Sequence, residues 1–474
     1  MISRILSTPL PMAPGRLPAG EPRRVHPDVL ASVLPGPGRD RLAAGEVLAI
    51  TTGQQPALFT GPLYTVYKAL SAVALAQRIE RERGIPVVPV FWVAGDDHDF
   101  AEANHAAVLG RDGELVKIVL RERPYEAPQL PLFRELLGPE IRTALDALDA
   151  ALPDSECKPE VRHWLEACCR PDANLADAGA EALQQLLGGR GLAVFRAHDR
   201  NAKRAGAPWL LRGLDVTLED GLTPVLVEGK LGRDRVRKDG NEFVLRRSGE
   251  RYTRAQLERI ATDTPERLSP NVLLRPVIEA ALFPTLAYVG GPGEMEYLPE
   301  AAPLFTSLGV APQGHVPRWS GIIIEARVEK VLSKHGLTPA DFNSQPGTLE
   351  TRIAKAELPP ELAESLKALR DDVESRFARI TGEVQRLDPT LERTVQSARN
   401  AALAGTTEIE KKLVASLKRT QGTLVSQLVR ARAALMPDGK PQERVLTMVS
   451  FVARYGGSLL DQIDAEVARW AAGL

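Results

Sequence analysis

Apolar positions near the start of the chain switch between short unbroken runs and a helical stripe. Val47 to Thr52 (VLAITT) reads as a buried strand, followed by a turn-rich loop with Gly53, Gln54, Gln55 and Pro56, then Thr60-Gly61-Pro62. From Leu63 the spacing of Tyr64, Tyr67, Leu70, Ala74 and Leu75 predicts a helix that stops at Gly84. Val87 to Val93 (VVPVFWV) is a second buried run, weakened in its middle by Pro89. Strand, glycine-bearing loop, helix and strand make a βαβ unit, so the sheet should be parallel with a right-handed crossover. Gly191 to Arg196, Thr285 to Val289 and Ile322 to Glu325 are expected to continue it. Residues 131–187 carry Leu/Ala periodicity without a strand pattern, whereas 222–250 hold short runs (LTPVLVEG, NEFVLRR) that suggest a small antiparallel insertion.

Beyond Pro359 the pattern becomes heptad-like. Leu362, Leu366, Leu369, Val373, Phe377, Ile380, Val384 and Leu387 form one seam, and Ile409, Leu413, Leu424, Leu428 and Leu435 mark a second after Pro389. Two antiparallel helices in a coiled-coil arm over 359–436 are the expectation, against a bundle lying flat on its own domain. The expected division is therefore an α/β core over 1–345, with insertions at about 111–187 (helical) and about 205–265 (small, mixed). The arm follows, and 437–474 returns as helices that pack back on the core.

A length of 474 residues fits two to four domains. Lys and Arg number 60 against 61 Asp and Glu, which leaves no overall field for a polyanion, so neither nucleic acid nor a membrane is an expected partner. No run of about 18 apolar residues could span a bilayer, and the N-terminus lacks a secretory apolar core, which points to the cytoplasm. The three cysteines (Cys157, Cys168, Cys169) have no CxxC spacing and read as free thiols in a reducing compartment.

The densest chemistry lies directly after VVPVFWV, in Gly95-Asp96-Asp97-His98-Asp99-Phe100-Ala101-Glu102-Ala103-Asn104-His105. Strand carboxyl ends line the ligand crevice of open parallel sheets. Crowded carboxylates raise one another's pKa, and an adjacent imidazole can move a proton near neutrality. Asp97, His98 and Asp99 are the candidate catalytic group; the plainer alternative is an Asp capping the next helix. Two glycine-bearing turns open helices in the same way. Gly53-Gln54-Gln55 with Gly61 and Tyr64 offers backbone N–H groups and amides, and Gly290-Gly291-Pro292-Gly293-Glu294 with Tyr297 allows close backbone approach to a ligand. Asn271 and Arg275 in SPNVLLRP, and Arg318 in HVPR, could grip a carboxylate or phosphate.

Taken together, TTGQQPALFTGPLYTVYKALSA, PVFWVAGDDHDFAEANH, SPNVLLRPV, PTLAYVGGPGEMEY, VPR and PQERVLTMVSFVARYG resemble the bacillithiol biosynthesis cysteine-adding enzyme (cysteine ligase) family, in order over most of the chain. The resemblance implies a Rossmann-like core similar to nucleotidyltransferases and class I synthetases, with inserted connecting segments and a coiled-coil arm that pairs two subunits. It implies a ligase that forms an amide bond between cysteine and the amine of glucosaminyl-malate, with ATP or another adenine nucleotide as a candidate for acyl activation and no metal assigned. The matched site positions are Gln54, Gln55, Gly61, Tyr64, Asp97, His98, Asp99, Asn104, Asn271, Arg275, Gly291, Gly293, Glu294, Tyr297 and Arg318. Asp96 stands where Glu is expected and Glu279 where Gln is usual, which makes Asp96 a weak candidate for an indispensable role. Two other readings of the residues are a metal-dependent hydrolase or deacylase built on the Asp/His cluster, and a non-catalytic coiled-coil scaffold.

Overall fold

The computed structural model describes residues 2–356, 358–420 and 422–474, in two compact units, Met1–Ile324 with Lys440–Leu474 and Glu325–Gly439. The first unit is built on five parallel strands, β1 (Leu48–Gln54), β2 (Val87–Val93), β3 (Ala193–Arg196), β4 (Thr285–Gly290) and β5 (Gly314–Pro317), in the order β5-β4-β1-β2-β3. All seven residues of β2 are buried, as covered parallel strands require. Pro89 is tolerated there because pairing with β3 begins only at Val90. Gly53 is needed in β1, since a Cβ would lie 2.8 Å from the Trp92 carbonyl oxygen.

Helix α1 (Leu63–Arg83) crosses from β1 to β2 and ends on left-handed Gly84 (φ 66°). It is buried on most sides, between the sheet and the C-terminal helix Ser458–Ala472, so its apolar stripe widens into a nearly continuous run of small and aliphatic residues. Each large aliphatic side chain buried this way contributes about 1.5–3 kcal/mol.

Two sequence expectations change. Ile322–Glu325 does not join the main sheet: the strand Gly321–Glu325 pairs with Ile2–Ser7, and β5 takes the edge position. The insertion expected to be helical from about 111 begins instead with a hairpin, His105–Leu109 against Leu115–Val119, and turns helical at Glu140–Ala151, Lys158–Cys168 and Leu175–Leu187. The antiparallel insertion expected over 222–250 is present and differs only in extent: it is a five-stranded sheet that also takes Leu268–Pro270 at its edge beside Leu222–Gly229. Cys168 and Cys169 are buried, and burial pushes their thiols up to about 11 and about 12, which leaves them unreactive.

In the second unit, α3 (Pro360–Leu387) and α4 (Glu392–Thr420) run antiparallel, tied by Arg370–Glu410 and Arg399–Glu374 ion pairs; α2 is the short helix Pro292–Tyr297 of the first unit. No residue of α3 is fully buried, and Leu369, Ile380 and Ile409 are each more than 40% exposed. Among the described residues no helix is long and apolar enough to cross a membrane.

Candidate active site

From β1 the chain builds outward through β2 and β3, then returns to lay β4 on the other flank of β1. At such a switch point strand carboxyl ends diverge into a crevice. A cavity of about 490 Å³ opens there. Its wall takes Gly53 and Gln54 from β1, Asp96 and Asp97 from the turn after β2, and Tyr288, Gly291, Gly293 and Glu294 from β4 and α2. Gln55, Tyr64, Asn271, Arg275, Tyr297 and Arg318 join them, so the acid turn and the glycine turn share one hollow.

The acid turn is ordered by its own first residues. Asp97 Oδ1 accepts the backbone N–H groups of His98 (2.6 Å) and Asp99 (3.2 Å), and Asp99 caps the helix Phe100–Ala103 through the Glu102 N–H (3.0 Å). From below, Leu132 N–H donates to the Asp97 carbonyl (2.7 Å) and Phe133 N–H to that of Gly95 (3.1 Å). Asp96 is buried and paired with Lys203 at 2.5 Å, a structural ion pair at the cavity wall.

Four expected residues stand off the wall. His98 does not line the cavity; its Nδ1 lies 3.8 Å from Asp97 Oδ1, too far for a hydrogen bond, and burial together with Arg233 holds its imidazole below the ordinary value. Glu102, a member of the acid cluster but not among its expected catalytic residues, lines the cavity instead, and burial followed by Asp99 and Asp97 raises its carboxyl. Asp99 is the cap just described. Asn104 is buried and joins helix to hairpin, donating from Nδ2 to the Arg121 carbonyl (2.7 Å). Gly61 closes a turn of three positive φ angles (Phe59 53°, Thr60 70°, Gly61 69°), braced by Thr447 Oγ1 on the Phe59 carbonyl (2.8 Å).

Neither glycine turn is an open anion cradle. The Leu63 N–H at the start of α1 donates to the Leu446 carbonyl (2.8 Å), and the Gly291 N–H donates to Glu294 Oε2 (2.8 Å). Glu294 also accepts Lys68 Nζ (2.5 Å) and the Tyr288 hydroxyl (2.5 Å). Burial alone would raise this carboxyl; Lys68, Arg275 and the Gly291 N–H outweigh it and hold it below the usual range. Lys68 further donates to Gln54 Oε1 (3.1 Å) and the Gly53 carbonyl (2.5 Å), so one buried ammonium ties β1 to the glycine turn. Sequence reading missed Lys68 because it interrupts an apolar helix without any local acid; that isolation on a buried face was the available signal.

The free donors are guanidinium nitrogens. Arg275 spans the Tyr288 ring (4.8 Å) and spends Nη1 on Glu279 (3.0 Å), while its buried Nη2 makes no hydrogen bond of ordinary geometry although the Tyr297 phenol interacts with the guanidinium. Arg318 spends Nη1 and Nη2 on Glu443 (2.8 and 2.5 Å) and keeps a buried, unpaired Nε. Buried donors of this kind call for an acceptor oxygen from a ligand or solvent. Burial, then Glu102, push the Tyr64 phenol up to about 12, so it stays a neutral donor at neutral pH.

Two alternative readings lose their footing in this geometry. Among the described residues no three His, Cys, Asp or Glu side chains group as metal ligands. A pure scaffold would have left the polar strand ends without a common hollow, and they share one.

The family model for the bacillithiol biosynthesis BshC N-terminal Rossmann-like domain matches residues 39–220 and 225–318, and that for the BshC C-terminal coiled-coil domain matches 321–468. Proteins named "Putative cysteine ligase BshC" are similar over nearly the whole chain. That of Salinibacter ruber is 33% identical (88% of this chain, 80% of that protein), that of Solibacter usitatus 32% (91% and 85%), and that of Chlorobaculum tepidum 31% (90% and 81%). Among solved structures, Mycobacterium tuberculosis methionyl-tRNA synthetase covers 90% of this chain and 93% of that chain at 9% identity and a TM-score of 0.25, too slight a likeness to argue from. With a Rossmann-like unit followed by a coiled-coil unit, and both models matched in that order, the chain belongs to the BshC family of bacillithiol biosynthesis.

Proposed function

We propose that the protein is a cysteine ligase that joins the cysteine carboxyl to the amine of glucosaminyl-malate, the last step of bacillithiol biosynthesis in the cytoplasm. The observation that carries this reading is that one cavity wall holds both the carboxylates of Asp97 and Glu102 and the unpaired donors of Arg275 and Arg318. Both substrates carry an amine and carboxylates, so each finds a complementary group. The C–N bond forms when the neutral glucosamine nitrogen attacks an activated cysteine carbonyl. The activating group leaves with its electron pair, and the ammonium proton passes to Glu102, whose raised pKa makes it a stronger base than a fully solvated carboxylate. Asp97 attracts the ammonium, while His98 and Asp99 shape the turn. ATP or another adenine nucleotide is the proposed source of activation.

Incubating the purified protein with glucosaminyl-malate, cysteine and ATP should give the thiol product by mass spectrometry, and omission of ATP tests the nucleotide separately. No product under any activating condition would overturn the reading. Glu102 must be ionised to accept the proton, so activity should fall as pH drops through its raised pKa. Glu102→Gln should remove that acid limb and most of the rate, about 10²–10⁴-fold, whereas His98→Ala should keep the limb. A limb that vanishes in His98→Ala would restore the imidazole as base.

The exposed apolar positions of α3 and α4 support a homodimer through the arm. Charging two of them, Leu369→Glu with Ile380→Glu, should convert a dimer to a monomer in sedimentation; an unchanged dimer would rule the arm out.

A further inference from the structure

The segment Pro441-Gln442-Glu443-Arg444 follows the arm in sequence and has no part in the reaction as described so far, yet Arg444 lines the cavity. The surrounding chain is fixed on both sides of it. Gln442 is buried and its amide pairs with the backbone of Ile323, accepting its N–H (2.8 Å) and donating to its carbonyl (3.0 Å). Glu443 is buried on the Arg318 fork and on Ser320 Oγ (3.0 Å). Downstream, the Leu446 carbonyl accepts the first N–H of α1, and Thr447 holds Phe59. A buried frame thus presents an exposed guanidinium at a fixed place.

The other cations of the wall are already engaged by protein groups. Lys68 is paired with Glu294, Arg275 with Glu279 and Arg318 with Glu443, while Arg233 donates to Ser269 Oγ (2.9 Å) and the Pro270 carbonyl (2.6 Å). The Arg444 backbone N–H donates to the Pro441 carbonyl (2.9 Å), but among the described residues its guanidinium has neither a hydrogen bond nor an ion pair, and its charge acts on Tyr64 and Glu102.

We propose that Arg444 binds a carboxylate of the dicarboxylic, malyl end of the acceptor substrate, and that Glu443 is a positioning residue that fixes both Arg318 and the Arg444 backbone. The proposal rests on the ligase reading and adds to it which cation reads the acceptor. A dicarboxylate presents two acceptor groups, and the cavity offers a guanidinium to each, the buried Nη2 of Arg275 and the exposed Arg444. Its position beside Glu102 then brings the amine of the same molecule toward the base.

The test compares wild type with Arg444→Gln on two acceptors, glucosaminyl-malate and methyl glucosaminide, which lacks both carboxylates. Arg444→Gln should raise KM for glucosaminyl-malate about 10- to 100-fold, leave KM for cysteine within about twofold, and cost nothing further with methyl glucosaminide. Arg444→Lys should recover part of the loss. An unchanged KM for glucosaminyl-malate, or an equal loss on both acceptors, overturns the proposal. Equal unfolding midpoints for wild type and variant exclude a folding cause. If wild type forms no thiol, the ligase reading fails by itself, and calorimetric binding of glucosaminyl-malate to both proteins decides the Arg444 question: weaker binding to the variant supports it, equal binding refutes it.

Discussion

Lys68→Met is expected to cost about 3–5 kcal/mol of stability and to abolish ligation. The Lys68 and Glu294 side chains are only 1% and 20% exposed, and truncating the ammonium leaves an ionised carboxylate in a nearly dry site. The loss should therefore exceed that of any surface pair in the molecule, for which about 0–1 kcal/mol is usual. Lys68→Met with Glu294→Gln removes both charges and should regain much of the stability without regaining activity, because the Gly53 and Gln54 ends of β1 stay untied. Urea unfolding monitored for all three proteins checks this. A single variant within 1 kcal/mol of wild type would mean that the buried pair does not hold the two turns together.

Arg275→Ala is expected to reduce kcat/KM by about 30-fold to several thousand-fold, the equivalent of about 2–5 kcal/mol for losing one partner of a desolvated charge pair. The substitution also strands Glu279, which is fully buried and accepts from Thr51 Oγ1 (2.6 Å) and Arg275 Nη1 (3.0 Å). Burial already raises the Glu279 carboxyl, against the opposing pull of Arg275. Arg275→Ala combined with Glu279→Gln should therefore fold as wild type does while staying inactive, which separates the ligand role from the structural one. Full activity in that double variant, assayed as thiol formed per minute, would show that the unpaired Nη2 meets no substrate.

Strand-end turns were legible in the sequence because their signals are local. GQQ, GDDHD and GGPG each follow a buried apolar run, and a parallel sheet sends the carboxyl ends of its strands to one rim. Which side chains face inward was not legible in the same way. His98 and Glu102 lie four residues apart, and the placement of one off the wall and the other on it follows from the Asp97 turn and the Asp99 cap rather than from residue type. Lys68 with Glu294, Asp96 with Lys203 and Arg318 with Glu443 are separated by 226, 107 and 125 residues, and no periodicity couples such pairs. The hairpin over 105–119 had a local signature, Asp112-Gly113 between HAAVL and LVKIV, that the helical pattern farther on obscured. The sheet edge went to β5 because the N-terminal Ile2–Ser7 claimed the strand expected there, a long-range pairing that neither segment announces.

The two hydrogen bonds between Gln442 and Ile323 bring the last residues before residue 325 beside the first residues after 439. The coiled-coil segment therefore leaves and re-enters its host at a single gate, like a domain spliced into a finished protein. A short glycine–serine bridge from Ile324 to Lys440 would close that gate, and the shortened gene product should be obtainable as a free-standing catalytic body for crystallisation or directed evolution.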